Sequence, residues 1–327
     1  MNCFVTGATG FIGHELAKTL LRNGDRVNIL VRSVKKLELP DSDNLKIFIG
    51  DLSDIGMIEK GMEGCDKVFH LAAFADIWSE NKDLPYEVNV SGTRNILESA
   101  LKAGIDKVVF TSTAGVLNPS DNFKLINETD PLPETFPTVY DETKYLAENL
   151  CLEYNQRGLN TVIVSPSKVY GPGKLNISNS LTRIIKLYVS GKWRFVPGNG
   201  EIISNYVYID DVVEGHIKAM AKGRPGEKYI LGGINASFNQ FLEALAKVSG
   251  VKHKYFMIPA GILSAVASLS LLLAEQFRVK PLITPAWLKK YFQNRLVSSQ
   301  KAEEELGCKI TTLEIGIQKT TQWLNQY

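Results

Sequence analysis

Short apolar runs rich in β-branched and aromatic residues recur through the first half of the chain, and between them apolar positions return every third or fourth residue. The first pattern suits strands buried on both faces, and the second suits helices with one covered side. Strands are predicted at Asn2–Val5, Arg26–Val31, Leu45–Ile49, Lys67–Leu71, Lys107–Thr111 and Thr161–Ser165. Helices are predicted at Gly13–Asn23, Met57–Met62, Leu84–Ala103 and Tyr140–Arg157. The alternation makes the class α/β, a doubly wound parallel sheet with helices on both faces. It loosens after Tyr170-Gly-Pro-Gly173. Residues 1–170 therefore read as the sheet domain, with 209–232 returning to it through a helix near Asp210–Met220 and a strand at Lys228–Leu231. Residues 171–208 and 233–327 read as a smaller substrate-binding part.

One stretch departs from this pattern. Tyr255 to Ala274 carries no charge, and its length approaches the roughly 20 residues that span a bilayer. Pro259 and Gly261 shorten its helical part to about 13 residues, and Ser264 and Ser268 share a face. It reads as a buried or lid helix over an apolar site, with peripheral membrane contact through 258–274 as the alternative.

Composition narrows the classes further. With 327 residues and 44 % apolar side chains there is material for a sizeable core, and a net charge of +2 without a basic run leaves no nucleic-acid patch. Cys3, Cys65, Cys151 and Cys308 lie far apart with no Cys-x-x-Cys, which suits reduced thiols in a cytoplasmic protein. The chain enters a core strand at once, so no cleavable signal peptide is expected. No metal-ligand spacing stands out, and no metal is expected.

The first strand runs into Thr6-Gly7-Ala-Thr9-Gly10-Phe11-Ile12-Gly13. A strand, a glycine turn and a helix in this order form the Rossmann-type cradle for a dinucleotide. Gly7 turns the chain, Gly10 admits the pyrophosphate, and Gly13 lets helix and strand pack closely. Thr9, Phe11 and Ile12 join these glycines as cofactor-binding candidates, because the free N–H groups of the helix start face the phosphates. The second strand ends Val31-Arg32-Ser33, with Lys35 and Lys36 beyond, where an NAD site would place a carboxylate. Arg32, Ser33 and Lys36 suit a 2′-phosphate, so NADP(H) is expected in preference to NAD(H). Asp51 and Leu52 follow the third strand, Asp51 placed to accept from the adenine amino group. Leu71, Ala72 and Ala73 follow the fourth, where small side chains let backbone approach the cofactor. His70 reads as a packed structural histidine.

Tyr140-Asp-Glu-Thr-Lys144 opens a helix with Tyr and Lys one turn apart on one face. A nearby ammonium favours a phenolate, so Lys144 is expected to lower the pKa of Tyr140 and to reach the nicotinamide ribose. The fifth strand ends Phe110-Thr111-Ser112-Thr113, bringing hydroxyls to the same sheet edge.

Taken in order, Thr-Gly-x-x-Gly-x-x-Gly, His70-Leu-Ala-Ala73, Asn89-Val-Ser-Gly-Thr93, Ser112-Thr113, Tyr-x-x-x-Lys, Ser167-Lys-Val-Tyr-Gly-Pro-Gly173 and Tyr206-Val-Tyr-Ile-Asp-Asp211 resemble the extended short-chain dehydrogenases/reductases along nearly the whole chain. The resemblance implies Tyr140 as general acid/base, Lys144 as its activator and ribose ligand, and Thr113 as the hydroxyl that polarises the substrate oxygen. It also implies cofactor contacts at Ser112, Asn89, Pro166 and Val169, with Asn89 supporting the proton relay, and pro-S hydride transfer. Ser165 stands where members often carry an arginine.

Within that superfamily, sugar-nucleotide dehydratases carry Thr-Asp-Glu where this chain has Thr113-Ala-Gly115. Sugar-nucleotide epimerases carry an arginine where it has Ser204, although Arg183, Lys192 or Arg194 could replace that charge. The chain is most similar to the dihydroflavonol 4-reductase and 3β-hydroxysteroid dehydrogenase branch. This implies NADP(H)-dependent chemistry on the carbonyl or alcohol of an apolar, often cyclic substrate, with Phe74 and Trp78 as candidate pocket walls. A nucleotide-sugar epimerase and a non-enzymatic NADP(H)-binding regulator are the alternatives. A homodimer through helices 84–103 and 140–157 is implied by the family.

Overall fold

In a computed structural model that describes residues 1–176 and 179–326, the expected alternation is present and extends further. The first half contains β1 (Asn2–Thr6), α1 (Phe11–Arg22), β2 (Arg26–Val31), β3 (Leu45–Ile49), α2 (Ile55–Met62) and β4 (Lys67–His70). It continues with α3 (Leu84–Tyr86), α4 (Gly92–Lys102), β5 (Lys107–Thr111), α5 (Val139–Gln156) and β6 (Thr161–Pro166). Then come β7 (Lys168–Tyr170), α6 (Ser180–Val189), β8 (Phe195–Pro197), β9 (Ile203–Tyr208), α7 (Ile209–Lys222), β10 (Lys228–Leu231), β11 (Ile234–Ser237) and α8 (Phe238–Ser249). Last are β12 (Phe256–Ile258), α9 (Ala260–Phe277), α10 (Pro285–Tyr291) and α11 (Leu313–Leu324).

Seven strands make the main sheet in the order β10-β6-β5-β4-β1-β2-β3. Every pairing in it is parallel. Side chains along the strands go alternately to the two faces. Cys3, Val5, Val27, Ile29 and Phe69 enter one core with α1 and α7, while Phe4, Leu30, Val68 and Phe110 enter the other with α2, α4 and α5. Both faces are thus covered, which is why the strands read as continuous apolar runs rather than alternating ones.

The strand order reverses between β1 and β4, the crevice where such sheets take ligands. Strands β7, β9 and β11 form a second sheet, in which β7 and β9 run parallel and pair Val169 with Val207. The predicted helix over 84–103 is continuous but broken in pitch. A π-helical turn at Glu87–Ser91 joins α3 to α4 and carries Asn89, a distortion that often marks a functional site.

Helix α9 corrects the reading of the apolar segment. It has 18 residues, not about 13, because Pro259 sits at its N-cap and Gly261 is absorbed in its first turn. Only 11 % of it is buried, so it is neither a core helix nor a covered lid. Ile262, Leu269, Leu272 and Phe277 each expose more than half of their surface.

Candidate active site

The glycine turn after β1 is built by close approach. Gly7 has φ +81°, and a Cβ there would meet Ala72 N at 2.7 Å, so turn and β4 end come together only with glycine. At Gly13 a Cβ would lie 2.3 Å from Gly7 O, which explains why helix and turn pack without a side chain between them. Helix α1 starts without a side-chain cap and with no acidic residue in its first turn. Its N-terminus therefore offers unneutralised N–H groups and the positive end of the dipole to an anion.

From this turn a cleft of about 1950 Å³ runs along the strand ends. Gly7, Thr9, Gly10, Phe11, Ile12, Gly13, Arg32, Asp51, Leu52, Leu71, Ala72, Ala73, Ser112, Thr113, Tyr140, Lys144, Pro166 and Val169 all line it. Residues far apart in sequence thus meet in one groove, long and cradled enough for an extended dinucleotide. Arg32 is exposed at the cleft. Asp51 is held ionised, below the usual carboxylate range, chiefly by the hydroxyl and N–H of Ser53 and further by Arg32.

Two of the described candidates fall elsewhere. Ser33 does not line the cleft; its hydroxyl accepts from Lys35 N at 3.3 Å, as cap of a short 3-10 turn. Asn89 is 1 % exposed and fully used by protein: it accepts from Phe74 N at 2.6 Å and donates to Phe74 O at 3.1 Å and Thr143 Oγ1 at 2.9 Å. It therefore ties the Phe74 backbone to α5 and does not line the cleft. The Lys36 side chain lies outside the described residues. Of the candidate pocket walls, Phe74 lines the cleft and Trp78 does not.

His70 and Ser112 are likewise committed to the fold. Thr93 donates its hydroxyl proton to Asn89 O, so His70 donates from Nε2 to Thr93 and accepts from Thr6 at Nδ1, at 3.0 and 2.7 Å. Burial holds this imidazole neutral, with its pKa pulled down to about 3. Ser112 donates to the buried carboxylate of Glu148, which also pairs with Lys228.

At the far end of the cleft, Thr138 caps α5 by accepting from Asp141 N at 3.2 Å, which sets Tyr140 in the first turn at the β5 edge. Thr113 Oγ1 accepts from Gly115 N at 3.0 Å, leaving its proton to give to a ligand oxygen. Burial, then Asp141, pushes the Tyr140 phenol above its ordinary 10. Lys144 Nζ sits 4.0 Å over the Phe110 ring, and burial pulls its pKa down to about 8. The expected lowering of Tyr140 by Lys144 is thus absent here. A buried ammonium resting on an aromatic face leaves desolvation of the phenolate uncompensated.

The cleft also holds charges to which the motifs gave no role. Lys168 on β7 donates to Ser204 Oγ at 2.7 Å, Lys290 on α10 donates to the buried Asp141 at 2.6 Å, and Arg295 Nη1 donates to Leu117 O at 2.8 Å. All three line the cleft, whereas Arg183, Lys192 and Arg194, expected as replacements for the missing arginine, do not. Position 115 is equally informative. A Cβ on Gly115 would lie 2.2 Å from Asp141 Oδ1 and 2.7 Å from Lys290 Nζ, so the dehydratase glutamate has no room.

A doubly wound sheet with a glycine cradle at its switch point and a Tyr-Lys pair in the same cleft defines an oxidoreductase-type nucleotide-cofactor protein. Residues 3–232 match the NAD dependent epimerase/dehydratase family, and the chain belongs to it. It is 30 % identical over 338 residues to sterol demethylase protein B of Methylococcus capsulatus, covering 100 % of this chain and 99 % of that one. It is 28 % identical over 337 residues to sterol-4-alpha-carboxylate 3-dehydrogenase, decarboxylating, of Mus musculus, covering 98 % and 90 %. Its fold matches a UDP-glucose 4-epimerase of Thermotoga maritima with a TM-score of 0.82 at 24 % identity, over 100 % of this chain and 99 % of that one. The chain is an NAD(P)-dependent oxidoreductase of the extended short-chain dehydrogenase/reductase type.

Proposed function

We propose that this enzyme uses NADP(H) to interconvert the carbonyl and alcohol of an apolar, cyclic small molecule. The observation that carries the reading is the convergence of Tyr140, Thr113 and Lys144 on the cleft that begins at the glycine turn. The substrate oxygen accepts from the Thr113 and Tyr140 hydroxyls, and Tyr140 then yields its proton to that oxygen. A phenol kept protonated by burial suits the donor role, which favours the reductive direction. Bound NADPH supplies the hydride. The glycine turn and the α1 N-terminus hold its pyrophosphate, Arg32 its 2′-phosphate, and Lys144 its ribose. Apolar walls at Phe74, Ile77, Leu282, Ile283 and Trp287 support an apolar substrate, as do the sterol-directed names of two relatives. The test is NADPH and NADH binding by fluorescence, then NADPH consumption across apolar ketones, flavonoids, steroids and sugar nucleotides. NADPH-specific turnover of an apolar ketone supports the reading, and turnover confined to sugar nucleotides rejects it.

One observation favours a nucleotide-sugar epimerase as second reading: Lys168 brings a cation onto Ser204, the position where epimerases hold arginine. Binding of a sugar nucleotide without net NADPH consumption would select it.

We further place the exposed side of α9 on a lipid surface. The ion pairs Lys82–Glu275, Arg278–Glu80 and Lys280–Asp76 fringe the helix and cancel one another, so apolar burial drives the contact. Four free thiols, two of them buried, suit the cytoplasmic location. A homodimer through α4 and α5, as the family implies, is tested by sedimentation.

A further inference from the structure

Behind the wall of the cleft lies a buried charge cluster. Glu148 on α5 is 3 % exposed and does not line the cleft, whereas Ser112, Thr113, Tyr140 and Lys144 do. Two other elements take its two oxygens. Oε1 accepts from Ser112 Oγ at 2.5 Å, just past the end of β5, and Oε2 pairs with Lys228 of β10. The cation comes from β10 because position 165 offers none. Alternation along β6 puts Ser165 on the α5 side with Ile163, and its hydroxyl is buried there without a partner among the described residues. Lys228 is the register neighbour of Ile163, one strand further out.

Burying a carboxylate is costly, and an apolar side chain at 148 would serve stability as well or better. What Glu148 adjoins gives it a use. It stands one helical turn beyond Lys144 on the same face, and its partner Ser112 is joined to Thr113. We propose that Glu148 is a positioning residue for both catalytic groups: through Ser112 it fixes the chain end that carries Thr113, and its negative charge holds the Lys144 ammonium. The other groups around Lys144 bring no free anion. On α5, the Tyr140 phenol and the Cys151 thiol are both pushed up by burial and stay protonated, while Asp141 is taken by Lys290 and Thr138. Neutral His70 comes from β4, the Phe110 ring from β5 and Ser165 from β6. Glu98 of α4 is engaged with Tyr154 and Arg157, and Tyr86 of α3 with Glu142. Burial pulls Lys144 down to about 8 against the upward pull of Cys151 and Glu148, and of these two the thiol is neutral. The proposal rests on the NADPH reading above, in which Lys144 acts through the cofactor ribose.

The test is the NADPH affinity of the full chain, read by fluorescence across neutral and alkaline pH, with Lys144→Met as reference. In the wild type, affinity should fall as pH rises through about 8, and this limb should be missing from Lys144→Met. Glu148→Gln should move the midpoint of the limb down by about one pH unit, the effect of one nearby charge. Glu148→Asp, which keeps the charge, should return it most of the way. Because Glu148→Gln leaves Lys228 unmatched, the double variant Glu148→Gln with Lys228→Met is measured too. It removes both buried charges, so Tm should hold while the midpoint still lies below that of the wild type. Loosening of α5 alone would weaken binding at every pH and leave the midpoint in place. A midpoint shared by the wild type and both glutamine variants overturns the proposal, while the limb itself keeps Lys144 at the ribose. A wild type that does not bind NADPH, or a Lys144→Met variant that keeps the limb, overturns the cofactor role of Lys144 and the proposal with it.

Discussion

Chemistry at the residue scale rests on Tyr140, Thr113 and Lys144, which do different work. Tyr140→Phe removes the proton donor and leaves the ring, so kcat should fall by about a hundredfold or more while NADPH affinity stays near wild type. Wild-type turnover in that variant, measured by NADPH oxidation, rejects the role. Lys144→Ala should damage both terms, because the ammonium is placed for the ribose as well as the phenol. Arg32→Asp should move the NADPH/NADH preference towards NADH, since a carboxylate repels a 2′-phosphate. An unchanged ratio of the two dissociation constants removes Arg32 from the cofactor site. These three residues were legible in sequence because each sits in a short contiguous motif. Lys168 sits in a motif too, but its meeting with Lys290 and Arg295 was not legible: Lys290 meets Asp141 across 149 positions, and no local spacing reports such a meeting.

Two elements decide how the chain meets its surroundings, and both can be tested alone. At the start of α1, Gly13→Ala would thrust a methyl group against the Gly7 carbonyl. Overpacking of this kind costs about 1–3 kcal/mol, and here it also shifts the turn that holds phosphates. A lower Tm together with weakened NADPH binding is the expected pair of results. Helix α9 behaves differently. Leu269→Glu with Leu272→Glu changes side chains that are 57 % and 64 % exposed, so Tm should hold. Co-sedimentation with zwitterionic vesicles should be lost, and in the wild type it should survive molar salt. If the wild type ignores vesicles and the double variant instead dissociates a dimer, a second copy covers this face. The composition of this helix was plain from sequence. Its exposure was not, because periodicity states which positions are apolar and is silent on what covers them.

For the molecule as a whole, the two cores and the sheet between them make acid the natural route to unfolding. His70 and His216 are both 0 % exposed, with pKa values pulled down by burial to about 3 and about 4. His216 is fixed in the same manner as His70, between Val212 O at 2.7 Å and Thr111 Oγ1 at 2.8 Å. An unfolded histidine titrates near 6.5, so between there and the folded values the unfolded chain binds the extra protons. Stability is therefore complete above about pH 6.5 and falls as pH drops, by ~1.4 kcal/mol per pH unit for each histidine. Urea midpoints measured between about pH 6 and pH 5 should show this slope, and His216→Phe should roughly halve the histidine part of it. An unchanged slope would mean that His216 takes up its proton without opening the fold.

What the amino-acid order settled by itself was local and periodic. Buried strands, amphipathic helices, a glycine turn and a Tyr-Lys pair one turn apart are properties of neighbouring residues and of allowed φ. The parallel sheet and its cradle follow from them. The tertiary structure alone decided which way the side chains between motifs face. It buried Asn89 between Phe74 and Thr143, set Lys144 on Phe110 instead of beside a phenolate, and brought three cations from β7, α10 and the chain beyond it to one cleft, where Lys290 pairs with Asp141. Such placements depend on burial and on long-range packing, and those are fixed only when distant segments close on one another.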